Sequence, residues 1–177
     1  AASALGHVLA RAGIEIVYGG GATGLMGSLA DAALAAGGRV HGVIPEFLVA
    51  REAAHRGLTG LEVVPDMPTR KRLLLEGSQA VVALPGGIGT LEEVFEAMSL
   101  KYLGFFHGPL LLVNADGYYD RCLEMLRFAV AEAFISRPRR ELWQVVDDPE
   151  AVPELLGHTA YAENAARLSG LSRAGQD

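Results

Sequence analysis

The stretch ALPGGIGTLEEVFEAM, residues 83–98, joins an apolar run to an amphipathic segment through a glycine-rich turn. Its pattern predicts a buried strand, a turn and then a helix. The turn glycines, Gly86, Gly87 and Gly89, let the backbone approach an anion closely, and N–H groups at the helix start would point toward it. Two interpretations remain open: a tight turn that only opens a helix, or a phosphate-binding loop beside a catalytic acid.

Short apolar runs alternate with amphipathic segments on both sides of this unit. Runs without polar alternation, separated by helices, are typical of a parallel sheet covered on both faces. The sequence therefore predicts one doubly wound, Rossmann-like α/β domain over residues 1–177, in three layers, with an irregular tail from about residue 160. The predicted strands are IEIVY, RVHGVIP, LEVVP, AVVALP, PLLLVN and LWQVVDD, and the predicted helices are ALGHVLARAG, GLMGSLADAALAAGG, MPTRKRLLLEGS, GTLEEVFEAMSLKYLG, YYDRCLEMLRFAVAEAF and PEAVPELL.

Composition limits the function classes. The net charge is −6, from 21 acidic and 15 basic residues, which argues against an extended nucleic-acid surface. The single cysteine, Cys122, leaves no disulfide framework and favours a reducing, cytoplasmic compartment. No apolar run reaches the roughly 18–20 residues needed to span a bilayer. The histidines show no metal-ligand spacing, so we expect no bound metal. We likewise expect no cofactor, no nucleic-acid partner and no membrane partner.

A second glycine loop, YGGGATGLMG, also follows a predicted strand and precedes a helix. Gly19, Gly21 and Gly24 mimic a dinucleotide-binding fingerprint, and Glu46 would pass as the ribose-binding acid. A tight turn explains this loop equally well. Ligands of doubly wound sheets bind beyond the carboxyl ends of the strands, where both glycine loops are predicted to lie. Together the two loops would enclose one mononucleotide.

Glu93 has two competing interpretations. The spacing Thr90-Leu-Glu-Glu93 fits a capping box, in which the glutamate binds the backbone N–H of the cap. A catalytic role would need the same oxygens. We expect the side chain to face the ligand rather than to close the box.

The segment DMPTRKRLLLEG predicts a helix capped by Asp66 or Thr69. Cations in its first turn oppose the helix dipole, each at a cost of roughly 0.3–1 kcal/mol. We therefore expect an anion near Arg70 and Lys71, either acidic side chains or a phosphorylated ligand, whereas Arg72 is expected to be solvated.

With these residues in view, the chain resembles the Lonely Guy family of cytokinin-activating phosphoribohydrolases, often labelled lysine decarboxylases. The family signature P-G-G-x-G-T-x-x-E stands intact at residues 85–93, and the upstream R-K pair matches Arg70 and Lys71. The first glycine loop and the turn NADGYY, residues 114–119, also match. The likeness extends to about residue 156.

The resemblance implies hydrolysis of the N-glycosidic bond of a nucleoside 5′-monophosphate, giving free base and ribose 5-phosphate. It implies Glu93 and Arg70 as the catalytic pair, with phosphate held by Gly87, Gly89 and Thr90. Lys71 and Glu52 would bind substrate, and Ser99 is a looser match. The remaining substrate-binding candidates are Gly20, Gly21, Gly86, Ile88, Leu91 and Glu92.

The chain departs from the family pattern in two places. Pro68 and Thr69 stand where members usually have His and often Glu before the R-K pair. Members also begin with a central strand that ends in a glycine–serine loop, and Ala1 already starts the first predicted helix. We expect that the protein has this strand, because its loss would leave backbone groups unpaired in the core.

Two functional classes stay open, a hydrolase and a non-catalytic nucleotide-binding or carrier module. Lysine decarboxylation is disfavoured, because it needs a Schiff-base lysine and Lys71 is the only lysine near the predicted site. The resemblance also implies homodimers, with hexamers in some members. The helix faces around Val94, Phe95, Met98 and Tyr102 would serve core or interface, with core as the default.

Overall fold

The computed structural model describes residues 1–49, 54–135 and 142–157. Helices and strands alternate along it as the sequence predicts. The helices are α1 (Ala2–Arg11), α2 (Gly24–Ala35), α3 (Met67–Leu75), α4 (Ile88–Leu103) and α5 (Asp120–Ala131), and the strands are β1 (Ile16–Tyr18), β2 (Val40–Pro45), β3 (Gly60–Val64), β4 (Val81–Ala83), β5 (Leu110–Val113) and β6 (Gln144–Val146). Where PEAVPELL predicts a helix, a 3₁₀ turn at Pro149–Ala151 leads into helical residues 152–157.

The strand pairings in the described residues are parallel, as predicted, but they form two sheets. One has the order β1–β2–β3 and the other β4–β5–β6. Their central strands, β2 and β5, are almost completely buried, because neighbouring strands and helices cover them. The additional central strand predicted from the family pattern would have to lie between β1 and β4. Direct pairing of β1 with β4 in one sheet would have left no place for it and contradicted that prediction. The described residues show no such closure, and the additional strand stays a prediction.

The prediction that helices cover both faces of every strand is wrong for β3. Three of its five residues are exposed, since among the described residues β3 pairs with β2 alone and lies at a sheet edge. Edge strands lack one neighbour, so their apolar residues need not be enclosed. Val17 of β1 is also exposed, on the side where the additional strand is predicted.

The core lies on both faces of the sheets, which gives the predicted three layers. One cluster packs α1 and α2 against strands from both sheets, including Leu5, Ile16 and Leu111. A second cluster packs α4 and α5 against β4 and β5. Val94 and Met98 are buried in this second cluster, which confirms the core interpretation for that face of α4.

Asp66 sets the start of α3, the helix that carries the cationic residues. Its Oδ1 accepts a hydrogen bond of 2.8 Å from the amide of Thr69, so Asp66 rather than Thr69 is the cap. Pro68 occupies the first turn, where no intrahelical N–H donor is needed. This bond holds the pKa of Asp66 below its ordinary value of 3.8.

Asp66→Ala is expected to lower Tm by about 2–4 °C at neutral pH, because α3 loses its cap. The lowered pKa means that the native state binds fewer protons than the unfolded state as Asp66 titrates. The stabilisation is therefore complete above the unfolded pKa and disappears as the pH falls through the folded one. Calorimetric scans of both proteins at neutral pH and below pH 3.8 measure this difference. A Tm gap that persists in acid would contradict the assignment.

Candidate active site

A cavity of about 240 Å³ lies between the two sheets and includes the gap between β1 and β4 that the predicted additional strand would occupy. Its walls come from β1, α2, α3, β4 and α4, and the candidate site is the group of polar side chains in these walls rather than the whole volume. Gly19 of the first glycine loop lines the cavity, whereas Gly86, Gly87 and Gly89 of the second loop are not among its lining residues. The polar side chains in its lining include Arg70, Lys71, Thr90, Glu93 and Glu96, and the apolar ones include Leu25, Met26, Leu29 and Leu74.

Arg70 projects from α3 into this cavity and is buried, with 9% of its side chain exposed. Its Nη2 donates to the Gly19 carbonyl at 3.5 Å, and its Nη1 lies 3.9 Å from Oε1 of Glu93. Within the described residues its Nε has no hydrogen-bond partner. A guanidinium carries five N–H donors, and a buried one is costly unless they are paired. The arrangement leaves Arg70 able to bind an anion.

Gly19 makes this position of Arg70 possible. A Cβ atom at residue 19 would lie 2.2 Å from Nη2 of Arg70, well inside van der Waals contact. The guanidinium can occupy its present position beside the end of β1 because residue 19 has no side chain.

Glu93 does not form the capping box that its spacing suggests. Helix α4 begins at Ile88 with Gly87 as its N-cap, so Thr90 is the third helical residue and cannot be the cap. Glu93 accordingly lies in the second turn, lines the cavity and has 38% of its side chain exposed. As expected, Glu93 does not close a capping box, because the N-cap is Gly87, which has no side chain to form one.

Lys71 finds acidic side chains, one of the two anion partners predicted for it. Its Nζ lies 2.6 Å from Glu92 Oε1 and 3.1 Å from Glu96 Oε2, both on α4. These bonds, to Glu92 first and then Glu96, raise the pKa of Lys71 above its ordinary value. Arg72 is exposed as predicted and pairs with Glu76 one turn later. The ion pairs join α3 to α4 beside Arg70 and Glu93.

The loop before α4 has the geometry of an anion site. Gly86 lacks a side chain because a Cβ there would lie 2.2 Å from Oγ1 of Thr90. Gly87 and Gly89 have open space where a Cβ would lie. The N–H groups of the first helical turn, including that of Thr90, have no partner within the helix, so they can bind an oxyanion.

The first glycine loop is tied into the fold through its carbonyl groups. The Gly20 carbonyl accepts from the His55 amide at 2.9 Å, and the Gly21 carbonyl accepts from the Tyr18 hydroxyl at 3.0 Å. Of this loop, Gly19 rather than Gly20 or Gly21 lines the cavity. Substrate binding by Gly20 and Gly21 stays a prediction, and Glu52 lies outside the described residues.

The other predicted substrate-binding residues are placed differently. Ile88 is 83% exposed at the helix start, and Leu91 packs against the second core cluster. Glu92 points to Lys71. Ser99 donates its hydroxyl to the Phe95 carbonyl within α4 and is not among the residues that line the cavity. A direct role for these four in binding stays a prediction.

Sequence reasoning missed three contributors, Gly19 as the contact of Arg70, Glu96 as the second partner of Lys71, and the tyrosines that hold the loops. The spacing of Glu92 and Glu96, one helical turn apart, was the signal for a shared cation. Tyr118 and Tyr119 of the GYY turn follow the end of β5 by a few residues, and their hydroxyls donate to carbonyl groups of the loop after the neighbouring strand β4.

In the described part of the chain no cluster of His, Cys, Asp or Glu is arranged to hold a metal ion. Among the same residues, no helix is long and apolar enough to cross a membrane.

Comparisons with known proteins identify the family of this chain. A family model described as "Possible lysine decarboxylase" matches residues 26–156. The cytokinin riboside 5′-monophosphate phosphoribohydrolase of Rhodococcoides fascians is 47% identical over 150 residues, which cover 84% of this chain and 76% of that protein. The protein of the same name, LOG3, from Arabidopsis thaliana is 42% identical over 151 residues, covering 85% and 69% respectively.

Solved structures with the same fold are more distant in sequence. The molybdenum cofactor carrier protein of Chlamydomonas reinhardtii aligns with a TM-score of 0.67 and 22% identity, covering 90% of this chain and 86% of that one. The molybdenum cofactor binding protein of Rippkaea orientalis aligns with a TM-score of 0.66 and 23% identity, covering 89% and 84%. At these identities the likeness shows the fold alone. The family model and the two phosphoribohydrolases show more, and the chain belongs to the family of cytokinin riboside 5′-monophosphate phosphoribohydrolases, the Lonely Guy family that its motifs resemble.

Proposed function

We propose that this protein hydrolyses the N-glycosidic bond of cytokinin nucleoside 5′-monophosphates, giving free base and ribose 5-phosphate. The observation that carries the proposal is the meeting of Arg70 and Glu93, 3.9 Å apart, in a cavity bounded by a glycine loop and a helix start. Its relatives' names describe this reaction. Lys71 is paired with Glu92 and Glu96, which leaves Arg70 and Glu93 as the cation and the acid for a sugar phosphate with a departing base, beside the glycine loop before α4.

The phosphate is held by the loop before α4. The amides of Gly87, Gly89 and Thr90 and the Thr90 hydroxyl supply donors, and the dipole of α4 adds positive potential at that end. Gly86 shapes this loop by leaving room for the Thr90 side chain. Arg70 then either binds the phosphate from the opposite wall or assists the departing base, because its buried guanidinium carries several N–H donors.

Glu93 acts at the anomeric carbon. Departure of the base leaves oxocarbenium character on the ribose, and a nearby carboxylate stabilises that cation or activates the attacking water. Arg70 lies beside Glu93, with its Nη1 3.9 Å from Oε1 of the carboxylate. The pair therefore acts as a unit, with Arg70 facing negative charge and Glu93 facing positive charge.

A lysine decarboxylase reaction does not fit this site. A Schiff-base lysine must lose its proton, and enzymes lower its pKa for that purpose. The pKa of Lys71 is raised instead, by Glu92 and Glu96. Lys101 lies in the last turn of α4, where its Nζ donates to the Gly108 carbonyl. Lys71 is better suited to holding α3 against α4 through its two ion pairs. It could also bind an anionic group of the substrate in place of one of the two carboxylates.

Homodimerisation and a cytoplasmic location are part of the proposal. Large apolar side chains are exposed on the outer surface, among them Leu103 at the end of α4, Phe105 just after it and Phe128 on α5. Such residues are common where subunits pair. The lone Cys122 is unpaired and partly buried, which is compatible with a reducing compartment.

The test is product analysis on the purified protein. AMP and isopentenyl-adenosine monophosphate are each incubated with the protein, and free base is measured by chromatography. We expect base and ribose 5-phosphate in equal amounts. Tight binding of both nucleotides without base release would contradict hydrolysis and support the carrier alternative. A Tm shift with NAD but not with AMP would favour dinucleotide binding.

A further inference from the structure

Tyrosine hydroxyls hold the carbonyl groups of both glycine loops. Tyr18 donates to the Gly21 carbonyl at 3.0 Å. Tyr119 donates to the Leu84 carbonyl at 2.7 Å, and Tyr118 donates to the Gly86 carbonyl. Tyr118 and Tyr119 come from the turn after β5, so one strand end supports the loop that follows its neighbour β4.

Tyr119 is the rigid part of this support. Its side chain is fully buried, and its amide donates to Oδ1 of Asn114 at 2.7 Å. The Asn114 amide group in turn donates to Asp120 at 2.9 Å. Burial raises the pKa of Tyr119 to about 12, so its hydroxyl stays protonated and remains a donor. Tyr118 packs edge-on against Tyr119 with ring centres 5.0 Å apart.

The bond from Tyr118 orients one particular peptide group. A trans peptide is planar, and its C=O and N–H point in opposite directions. The Gly86 carbonyl and the Gly87 amide belong to the same plane. A hydroxyl that holds the carbonyl on one side therefore aims the Gly87 N–H to the other side. The neighbouring Leu84 carbonyl, held by Tyr119, shares its plane with Pro85, which has no N–H to aim.

We propose that Tyr118 is a positioning residue that fixes the Gly86–Gly87 peptide so that the Gly87 N–H binds the substrate phosphate. The inference rests on the proposed function for the identity of the ligand. Glycine has no side chain to restrict its backbone, so a glycine loop needs an outside contact to keep one orientation. Without the hydroxyl the same loop samples other orientations, and phosphate binding must then select one of them.

Tyr118→Phe tests this role, because it removes the donor and keeps the ring. The phenylalanine ring keeps the packing against Tyr119, and Tyr118 is half exposed, so we expect little effect on the fold. The phosphate is bound in the ground state and the transition state alike, so KM should rise about three- to tenfold with kcat nearly unchanged. Affinity for ribose 5-phosphate, measured by calorimetry, should fall by the same factor.

Tyr102→Phe is the matched control. It removes the same atom from the last turn of α4, at the opposite end of the helix from the loop. A third measurement needs no ligand: hydrogen exchange of the amides of residues 86–90 should be faster in Tyr118→Phe than in the wild type and in Tyr102→Phe. Equal exchange and equal KM in the two variants would overturn the proposal, as would a loss of kcat and Tm with KM unchanged.

These measurements separate the two levels of inference. If the wild type neither releases base nor binds ribose 5-phosphate, the proposed function fails and the phosphate role of Tyr118 fails with it. Hydrogen exchange would then still show whether Tyr118 orders the loop. If the wild type is active and Tyr118→Phe matches Tyr102→Phe in KM and exchange, only the positioning role is lost.

Discussion

Glu93→Ala is expected to lower kcat for base release by about 10²–10⁴-fold, to the limit of detection. Glu93 lines the cavity, and in the proposed reaction its carboxylate acts at the anomeric carbon of the sugar. Its removal deprives the oxocarbenium-like transition state of its counter-charge. Glu93 is more than a third exposed and plays no part in a capping box, so the loss of the carboxylate 3.9 Å from the buried Arg70 should lower Tm by no more than about 4 °C. Release of free base is measured by chromatography, and Tm by calorimetry.

Two further variants sharpen this result. Glu93→Gln keeps the shape of the side chain and removes its charge, so it should be as inactive as Glu93→Ala. Glu124→Ala removes an exposed acid on α5, which pairs with Arg121 far from the cavity, and should retain full activity. A Glu93→Ala protein that unfolds at much lower temperature but keeps its turnover would reverse the assignment and make Glu93 a structural residue.

Arg70→Ala is expected to have the second large effect, a loss of about 10–100-fold in affinity for ribose 5-phosphate and a larger loss in kcat/KM. The guanidinium is buried and has donors to spare, so a bound anion would be its natural partner. Its removal also removes a buried charge, which offsets the lost packing, so the fold should survive. Titration calorimetry measures the affinity, and initial rates with the nucleotide measure kcat/KM.

Arg72→Ala is the control for this experiment. Arg72 lies two residues further along α3, is exposed and pairs with Glu76, so its loss should leave affinity and rate unchanged. Arg70→Lys keeps the charge but shortens the reach and loses the planar set of donors, and should restore little. Unchanged affinity for ribose 5-phosphate in Arg70→Ala would exclude phosphate binding by this residue. A loss of kcat alone would then assign Arg70 to the departing base.

Much of the architecture could be predicted from local pattern. Apolar runs such as 110–113 identify buried strands, and Asp66 with Pro68 identifies a helix start, because both depend on neighbours in sequence. The exposure of β3 could not be predicted in this way. Position in a sheet is set by which strands pair, and β3 reads as apolar as a central strand although it lies at an edge.

The site was predictable in its parts but not in its contacts. The R-K pair and the glycine loop indicated a cation and an anion-binding turn near each other. The supposed capping box at Thr90 failed because the N-cap of α4 is Gly87, three residues earlier than that spacing assumes. The partners of Lys71 depend on the packing of α3 against α4, and no local pattern specifies which carboxylate meets which cation.

The contact between Gly19 and Arg70 gives a simple criterion for judging related sequences. Any larger residue at the first position of the glycine loop would occupy the volume that the guanidinium now fills, and the arginine end would have to move. We expect a homologue that keeps the R-K pair but has a side chain at that position to hold its arginine in a different place. One backbone position, remote in sequence from the acid, therefore helps to set where the cation of the centre lies.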